Sequence, residues 1–390
     1  MVLRQLAGII YFSNLIGWKK FYKWLFRYSF RTLPSAAGAI GMGCIGFPNH
    51  PVYEITTRCN LKCIHCHTNG GEGKILNFGN ELATDEAKKL IEELAKVKDF
   101  RMLVYSGGEP LVRKDIFDLL NYSKKAGFIN VLATNATLIE YDTAKQLKKA
   151  GVVCVAVSLD SSIPEVHNKI RQNNKAFELA MRGIDAIKKA GILLQINTTA
   201  MEYNFKNLKE IIKLTDTLGA AIMLMYQLVP VGRGCAVKDA TLNLNTNEKL
   251  IKYLSAAQKD VPFIVETVAS PQYWPYLMEK KGINNNFYLR FAEKVFHGCS
   301  AGSGLVYIKS NGDVWPCPFL EISAGNVRQK PFNEIWYKSE IFLNLRNRAN
   351  LLKGGCGNCR YINVCGGCRG RALVLAGDYM GEDKLCFIKK

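Results

Sequence analysis

Cys59, Cys63 and Cys66, in the run TTRCNLKCIHCHTNGG (56–71), are the side chains of this sequence best placed to do chemistry. Their C-x3-C-x2-C spacing puts three thiolates on one short loop, one fewer than a closed metal site needs. A zinc ion could take water as its fourth ligand, or a [4Fe–4S] cube could use the thiolates on three of its irons. Zinc ligands usually come as a C-x2-C pair with a second, distant pair, and no second pair lies near this loop. His65 and His67 keep the zinc alternative open, because imidazole binds zinc readily. With a cube, the fourth iron has no protein ligand, and an open position on a metal is where a substrate or cofactor binds.

Seven further cysteines stand towards the end: Cys299, Cys317, Cys356, Cys359, Cys365, Cys368 and Cys386. Together, three plus seven of the 13 cysteines fall in two short-spaced groups. That grouping points to metal or cluster ligands in a reducing compartment rather than to disulfides. Taken alone, the C-x2-C steps at 356–359 and 365–368 also suit a zinc ribbon. Cys44 and Cys235 have no partner in the sequence, and Cys154 lies in an apolar run where a small buried hydrophobe is expected.

Something must hold these groups in place. From residue 52 to about 230, strand-like and helix-like runs alternate. The strands read VYEITT (52–57), RMLVYS (101–106), INVLAT (129–134), VVCVAVSLD (152–160), ILLQINTT (192–199) and AAIMLMYQLV (220–229). Helices are expected at 84–97, with Thr84 as N-cap and Ala87, Leu90, Ile91 and Leu94 as the buried stripe, and at 114–127, 141–151, 174–191 and 205–219. Apolar strands between amphipathic helices imply a parallel sheet covered by helices, either open and doubly wound or wrapped as a barrel. Polar residues recur after these strands: Ser106-Gly107-Gly108-Glu109-Pro110, Thr134-Asn135, Ser158 and Asp160 followed by Arg171, Asn197-Thr198, and the VPVGRG run starting at Val229. Polar groups at the carboxyl ends of successive strands favour the barrel, which keeps its sites on that face. The expected fold is therefore α/β, a partial (β/α)6 TIM-like barrel over 51–235 with a small Cys-rich domain at 298–390. Residues 236–297 read as a bridging helical segment, and residues 1–50 as a basic, aromatic, amphipathic extension.

The C-x3-C-x2-C loop and the strand-end motifs together resemble the radical S-adenosylmethionine (radical SAM) enzymes. The resemblance implies that the methionyl amino and carboxylate groups chelate the open iron. One electron then cleaves the sulfonium, and a 5′-deoxyadenosyl radical takes a hydrogen atom from the substrate. By position it implies cofactor contacts from His65, Gly107, Gly108, Glu109, Asn135, Ser158, Asp160, Asn197 and Val229. Glu109 would accept from the methionyl ammonium and Arg171 would pair with its carboxylate. The C-terminal spacing resembles the SPASM extension, which carries one or two auxiliary [4Fe–4S] clusters. Carried over by position, Cys356, Cys359, Cys365 and Cys386 form one site, while Cys299, Cys317 and Cys368 form a second with one ligand fewer. That leaves an open iron, a ligand such as His297, or a single cluster with leftover thiols.

Lys+Arg outnumber Asp+Glu by 52 to 33, a net charge of +19 that suits an acidic partner. A lysine-rich surface serving solubility would give the same balance. YQLVPVGRG, GCSAGSG, CPFLEISAGNVRQKPFNEIW and CGGCRGRALVLAGD resemble the enzymes of the alternative, sirohaem-dependent haem pathway and their haem-modifying relatives. That resemblance implies an anionic tetrapyrrole substrate whose propionates are oxidatively decarboxylated, with Arg233 and the aromatics of 273–296 as candidates to bind it. A peptide or protein maturase is the alternative. A plain iron–sulfur electron carrier would not need the S-adenosylmethionine motifs. A low-potential donor such as ferredoxin or flavodoxin is implied, and no nucleic acid. The first 31 residues read either as a cap packed on the barrel or as a helix lying on a membrane surface. The expected location is the cytoplasm, reducing or anaerobic, with that surface contact as the peripheral option.

Overall fold

The apolar runs pair as parallel strands in the order of the chain. In the computed structural model, residues 10–32, 50–71, 80–283 and 298–388 are described. Strands β1 (His50–Glu54), β2 (Met102–Ser106), β3 (Ile129–Thr134), β4 (Val152–Ser158), β5 (Leu193–Ala200), β6 (Ile222–Gln227) and β7 (Ile264–Val268) lie side by side, each parallel to the one before. A doubly wound sheet would reverse its strand order at a switch point. This sheet has none between β1 and β7, so the partial-barrel reading stands.

Pleating divides each strand between two environments. Leu103, Tyr105, Leu132, Val155, Val157, Leu194 and Ile196 join the main core with the covering helices. Their neighbours Met102, Val104, Val131, Ala133, Ala156, Ser158, Gln195 and Asn197 line the inside of the wrap. The helix Thr84–Ala95 buries Ala87, Leu90, Ile91 and Leu94, the stripe expected from its 3.6-residue period. Its cap differs from expectation. Ala83 is the N-cap, its N–H donating to Glu86 Oε2 at 2.8 Å, while the Thr84 hydroxyl donates to Asp115.

Two corrections concern the segment read as a helical bridge and the unit after it. Ile264–Val268 is a seventh strand, paired with β6, inside that bridge. Its alternation is disguised because Glu266 and Thr267 are buried polar residues, which depress an apolar reading. Helices Leu244–Ala257 and Tyr273–Lys280 flank it, and 284–297 lie outside the described residues. The Cys-rich unit is not separate from the sheet. Strand β8 (Leu305–Ile308) pairs in parallel with β1, and β9 (Asp313–Trp315) and β10 (Gly325–Asn326) extend that edge antiparallel.

The N-terminal segment is a cap over the described part of its length. Phe12, Leu15, Ile16, Trp18 and Trp24 are buried in the main core. Trp18 Nε1–H donates to Val261 O at 2.7 Å and Trp24 Nε1–H to Ala221 O at 3.3 Å. Ala221 and Val261 precede β6 and β7, so the cap covers the end of the barrel opposite the cysteine loop. Phe12, Leu15, Ile16, Trp18 and Trp24 are thus committed to packing, while Ile10, Tyr22 and Phe26 of the same segment stay exposed. Residues 1–9 and 33–49, Cys44 among them, lie outside the described residues. No helix among the described residues is long and apolar enough to cross a membrane.

Candidate active site

The loop that follows β1 carries Cys59, Cys63 and Cys66, and backbone contacts from neighbouring strand ends hold it. Gly108 N–H donates to Thr56 O at 2.8 Å and Glu109 N–H to Arg58 O at 2.9 Å. The approach is so close that a Cβ on Gly107 would lie 2.4 Å from Thr56 O, and one on Gly108 2.2 Å from Arg58 O. The Gly-Gly pair is therefore required by the loop it braces, as well as lining the cavity beside it. On the other side, Arg233 N–H donates to Cys66 O, Arg233 Nε–H to Cys63 O and Arg233 Nη2 to Gly70 O, all at 2.8–2.9 Å. Arg233, read from the sequence as a substrate cation, straps the cysteine loop and also lines the cavity beside it.

Burial pushes the Cys59 thiol up to about 12, and the neighbouring charges of Glu109, Cys63 and Cys66 push the same way. Burial raises Cys63 as well, opposed by the Arg171 guanidinium. Thiols raised like Cys59 and Cys63 become thiolates when a strong cationic acceptor is bound. Among the described residues no three His, Cys, Asp or Glu groups converge tightly enough to hold a single metal ion. Thiols spread over one loop suit the separate corners of a cube. His65 Nε2 lies 3.5 Å from Asp160, and His67 Nε2 lies 3.5 Å from the Tyr307 hydroxyl. Burial holds both imidazoles neutral, near pKa 4.

A cavity of about 360 Å3 opens beside the loop, in the size range of small-molecule sites. Cys59, Cys63, His65 and Cys66 line it, together with Gly107, Gly108, Asn135, Ser158, Arg171, Asn197 and Val229. Two predicted cofactor contacts stand behind this wall. Glu109 accepts from the Thr134 hydroxyl at 2.8 Å, Asn135 N–H at 2.9 Å and Leu111 N–H at 3.2 Å. These bonds join the ends of β2 and β3. Burial raises Glu109 to about 6, opposed by these donors. Asp160 pairs with Arg171 Nη2 at 2.7 Å and accepts from Thr199 N–H at 3.0 Å, so it orients Arg171. Arg171 closes the helix Pro164–Arg171, which Gln172 ends in the left-handed conformation. Its Nη1 lies 3.7 Å from Cys63 Sγ, and its buried Nε–H has no acceptor among the described residues.

The C-terminal thiols fall into two groups by their place relative to the cavity. Cys299, Cys317 and Cys368 line the same cavity as the N-terminal loop. Cys317 is raised by burial and then by the charges of Cys299 and Cys368. Cys356, Cys359, Cys365 and Cys386 lie away from the cavity wall, and Cys386 is raised to about 11 by burial, with Asp383, Cys356 and Cys359 adding to it. Asp383 lies between the sets: its carboxylate accepts from Cys368 N–H at 2.8 Å, and its own N–H points to Cys356 Sγ at 3.5 Å. Cys154 is fully buried beside Met102 and Val131, as a core hydrophobe. Cys235 is exposed and donates to Pro230 O.

Residues 53–215 match the radical SAM superfamily, and 299–369 match an iron–sulfur cluster-binding domain, SPASM. An AdoMet-dependent heme synthase of Methanosarcina barkeri is 36% identical over 88% of this chain and 97% of its own length. This chain is a radical SAM enzyme. The Fe-coproporphyrin III synthase of the same organism is 34% identical over 87% of this radical SAM chain and 88% of its own. The fold matches Streptococcus suis SuiB bound to its precursor peptide SuiA with a TM-score of 0.67, at 20% identity over 89% of this chain and 78% of that one. The cofactors of this radical SAM enzyme are S-adenosylmethionine, the [4Fe–4S] cluster of its core and the auxiliary iron–sulfur chemistry of its SPASM region. The donor set fits them.

Several groups at the site escaped the sequence reading. Glu54, at the end of β1, accepts from the Tyr307 hydroxyl of β8 at 2.6 Å, locking the Cys-rich unit to the barrel beside His67. Arg348, Arg369 and Arg371 are buried against the C-terminal thiols. The run CRGR just after Cys368 was the only sequence signal for two of them.

Proposed function

We propose that this enzyme oxidatively decarboxylates propionate side chains of an iron tetrapyrrole. One observation carries the reading: Cys59, Cys63 and Cys66 face Cys299, Cys317 and Cys368 across one cavity. A site for hydrogen abstraction and a site able to take an electron thus share one substrate space. Propionate decarboxylation needs that pairing. Loss of a hydrogen atom from R–CH2–CH2–COO− leaves a radical, which becomes R–CH=CH2 and CO2 by giving up one electron. The names of the relatives, a heme synthase and an Fe-coproporphyrin III synthase, and the basic balance of 52 to 33 support the same substrate class.

When bound, the cluster and S-adenosylmethionine supply the 5′-deoxyadenosyl radical that takes the hydrogen atom. The chain's own residues would do the following. Cys59, Cys63 and Cys66 hold the core cluster. Arg171, oriented by Asp160 and lining the cavity, pairs its guanidinium with the methionyl carboxylate. The wall formed by Gly107, Gly108 and Asn135 takes the amino end, Ser158 and Asn197 the ribose, and Val229 the adenine. Glu109 keeps the β2 and β3 ends together behind them. A low-potential ferredoxin- or flavodoxin-type donor supplies the starting electron.

Anaerobic turnover with iron coproporphyrin III tests this. Expected are CO2 and a vinyl-bearing product formed together with 5′-deoxyadenosine. Turnover of candidate peptides with no reaction of the porphyrin would refute it in favour of a maturase.

A further inference from the structure

Buried guanidinium groups need an anion, because an uncompensated buried charge costs several kcal/mol. Arg371 has one. It is fully buried and grips Asp383 with Nε and Nη2 at 2.7 and 2.8 Å, while Nη1 donates to Gln227 Oε1 at 2.9 Å. Arg171, beside the core thiols, has one too, in Asp160. Arg369 and Arg348 do not. Arg369 is fully buried, and its donors go to Tyr379 O, Gly381 O and Gly367 O, with Nη2 at 3.7 Å from Cys356 Sγ. Arg348 is 7% exposed and donates to Cys299 O. Neither pairs with a carboxylate among the described residues. Carbonyl oxygens satisfy their hydrogen bonds but leave their charge uncompensated.

We propose that Arg348 and Arg369 are the buried counter-charges of the auxiliary iron–sulfur site and raise its reduction potential. Cluster potentials respond to the net charge around the thiolates. Arg171 at the core is neutralised by Asp160, and Arg233 bonds the carbonyls of the core loop; Arg348 and Arg369 lie against the C-terminal thiols with no carboxylate partner among the described residues. A raised auxiliary potential favours transfer to that site of the one electron released by the substrate radical as its double bond forms. Arg348 and Arg369 act here as positioning residues for charge and touch no substrate. The proposal rests on the auxiliary iron–sulfur chemistry of the family and not on the tetrapyrrole reading.

The test uses full-length Cys59→Ala/Cys63→Ala/Cys66→Ala protein, in which only auxiliary clusters remain, titrated potentiometrically and followed by EPR without substrate. In that background Arg369→Gln, or Arg348→Gln, should lower the reduced-to-oxidised ratio at fixed potential tenfold or more, a 59 mV fall per decade for one electron. Arg369→Lys, which keeps the charge, should stay near the parent. Asp383→Asn should move the ratio the other way. Unchanged ratios in iron-replete Gln variants would overturn the proposal, as would a fall in Asp383→Asn. So would loss of iron from Arg369→Lys, which would make the residue a brace for the loop. Because no substrate is present, failure of the tetrapyrrole reading leaves this result untouched.

Discussion

Gly108→Ala tests how the cysteine loop is positioned. The added Cβ would stand 2.2 Å from Arg58 O, 2.7 Å from Arg58 C and 2.8 Å from Thr57 O. Ordinary contact begins near 3.4 Å, so the loop must retreat by about 3.4 − 2.2 = 1.2 Å at the residue before Cys59. The clash is with backbone, so no side chain can swing aside. Retreat also stretches the bonds from Gly108 N–H to Thr56 O and from Glu109 N–H to Arg58 O, worth about 1 kcal/mol each. Overpacking of this kind costs about 1–3 kcal/mol, and a misplacement of about 1 Å at a reacting centre costs roughly a hundredfold in rate. The assay is 5′-deoxyadenosine formation under anaerobic reducing conditions, with iron per chain measured alongside. Gly127→Ala is the control. That glycine has φ +92° but nothing within 4 Å of its Cβ position, so the substitution strains the backbone by about 1–2 kcal/mol and leaves the loop alone. Gly108→Ala protein that retains wild-type iron and rate, or loses no more than Gly127→Ala, would refute the reasoning.

Arg171→Met should weaken S-adenosylmethionine binding and, by stranding buried Asp160, cost about 3–5 kcal/mol of stability. Adding Asp160→Asn should restore stability but not affinity, read by equilibrium binding and urea unfolding; full affinity in the double variant would remove Arg171 from the cofactor site. Glu109, raised to about 6 from the ordinary 4.5, binds its proton more tightly folded than unfolded. Relative to Glu109→Gln, wild-type stability should therefore rise by about 2 kcal/mol as pH falls from about 7, above the folded value, to below about 4, under the unfolded one, at 1.36 kcal/mol per unit. A pH-independent difference in urea unfolding would contradict this. Trp18→Ala removes a buried ring and its bond to Val261 O, and should cost about 3–5 kcal/mol in unfolding measurements without changing cluster content.

Much of the site was legible because its residues follow local rules. The Cys59–Cys63–Cys66 spacing is a property of one loop, and Ser158, Asn135 and Asn197 were found because strand ends on one barrel face converge. Helix stripes such as Ala87–Leu94 follow from a single period. What stayed hidden depends on long-range pairing. Strand β7 carries Glu266 where a core strand would carry an apolar residue, so its alternation was lost. The parallel pairing of β8 with β1 joins residues some 250 apart, which no local pattern announces. Glu109, Asp160 and Arg233 were placed at the site, but the groups they meet within the fold, Thr134, Arg171 and the carbonyls of the cysteine loop, are not readable from residue type alone.

The most direct measurement is 5′-deoxyadenosine formation by the anaerobically reconstituted wild type and by the Cys59→Ala/Cys63→Ala/Cys66→Ala protein, with iron counted in both. The account predicts S-adenosylmethionine cleavage by the wild type only, while the triple variant keeps the iron held by its C-terminal thiols. Cleavage persisting in the triple variant, or wild-type protein with zinc and no iron in its N-terminal loop, would contradict it.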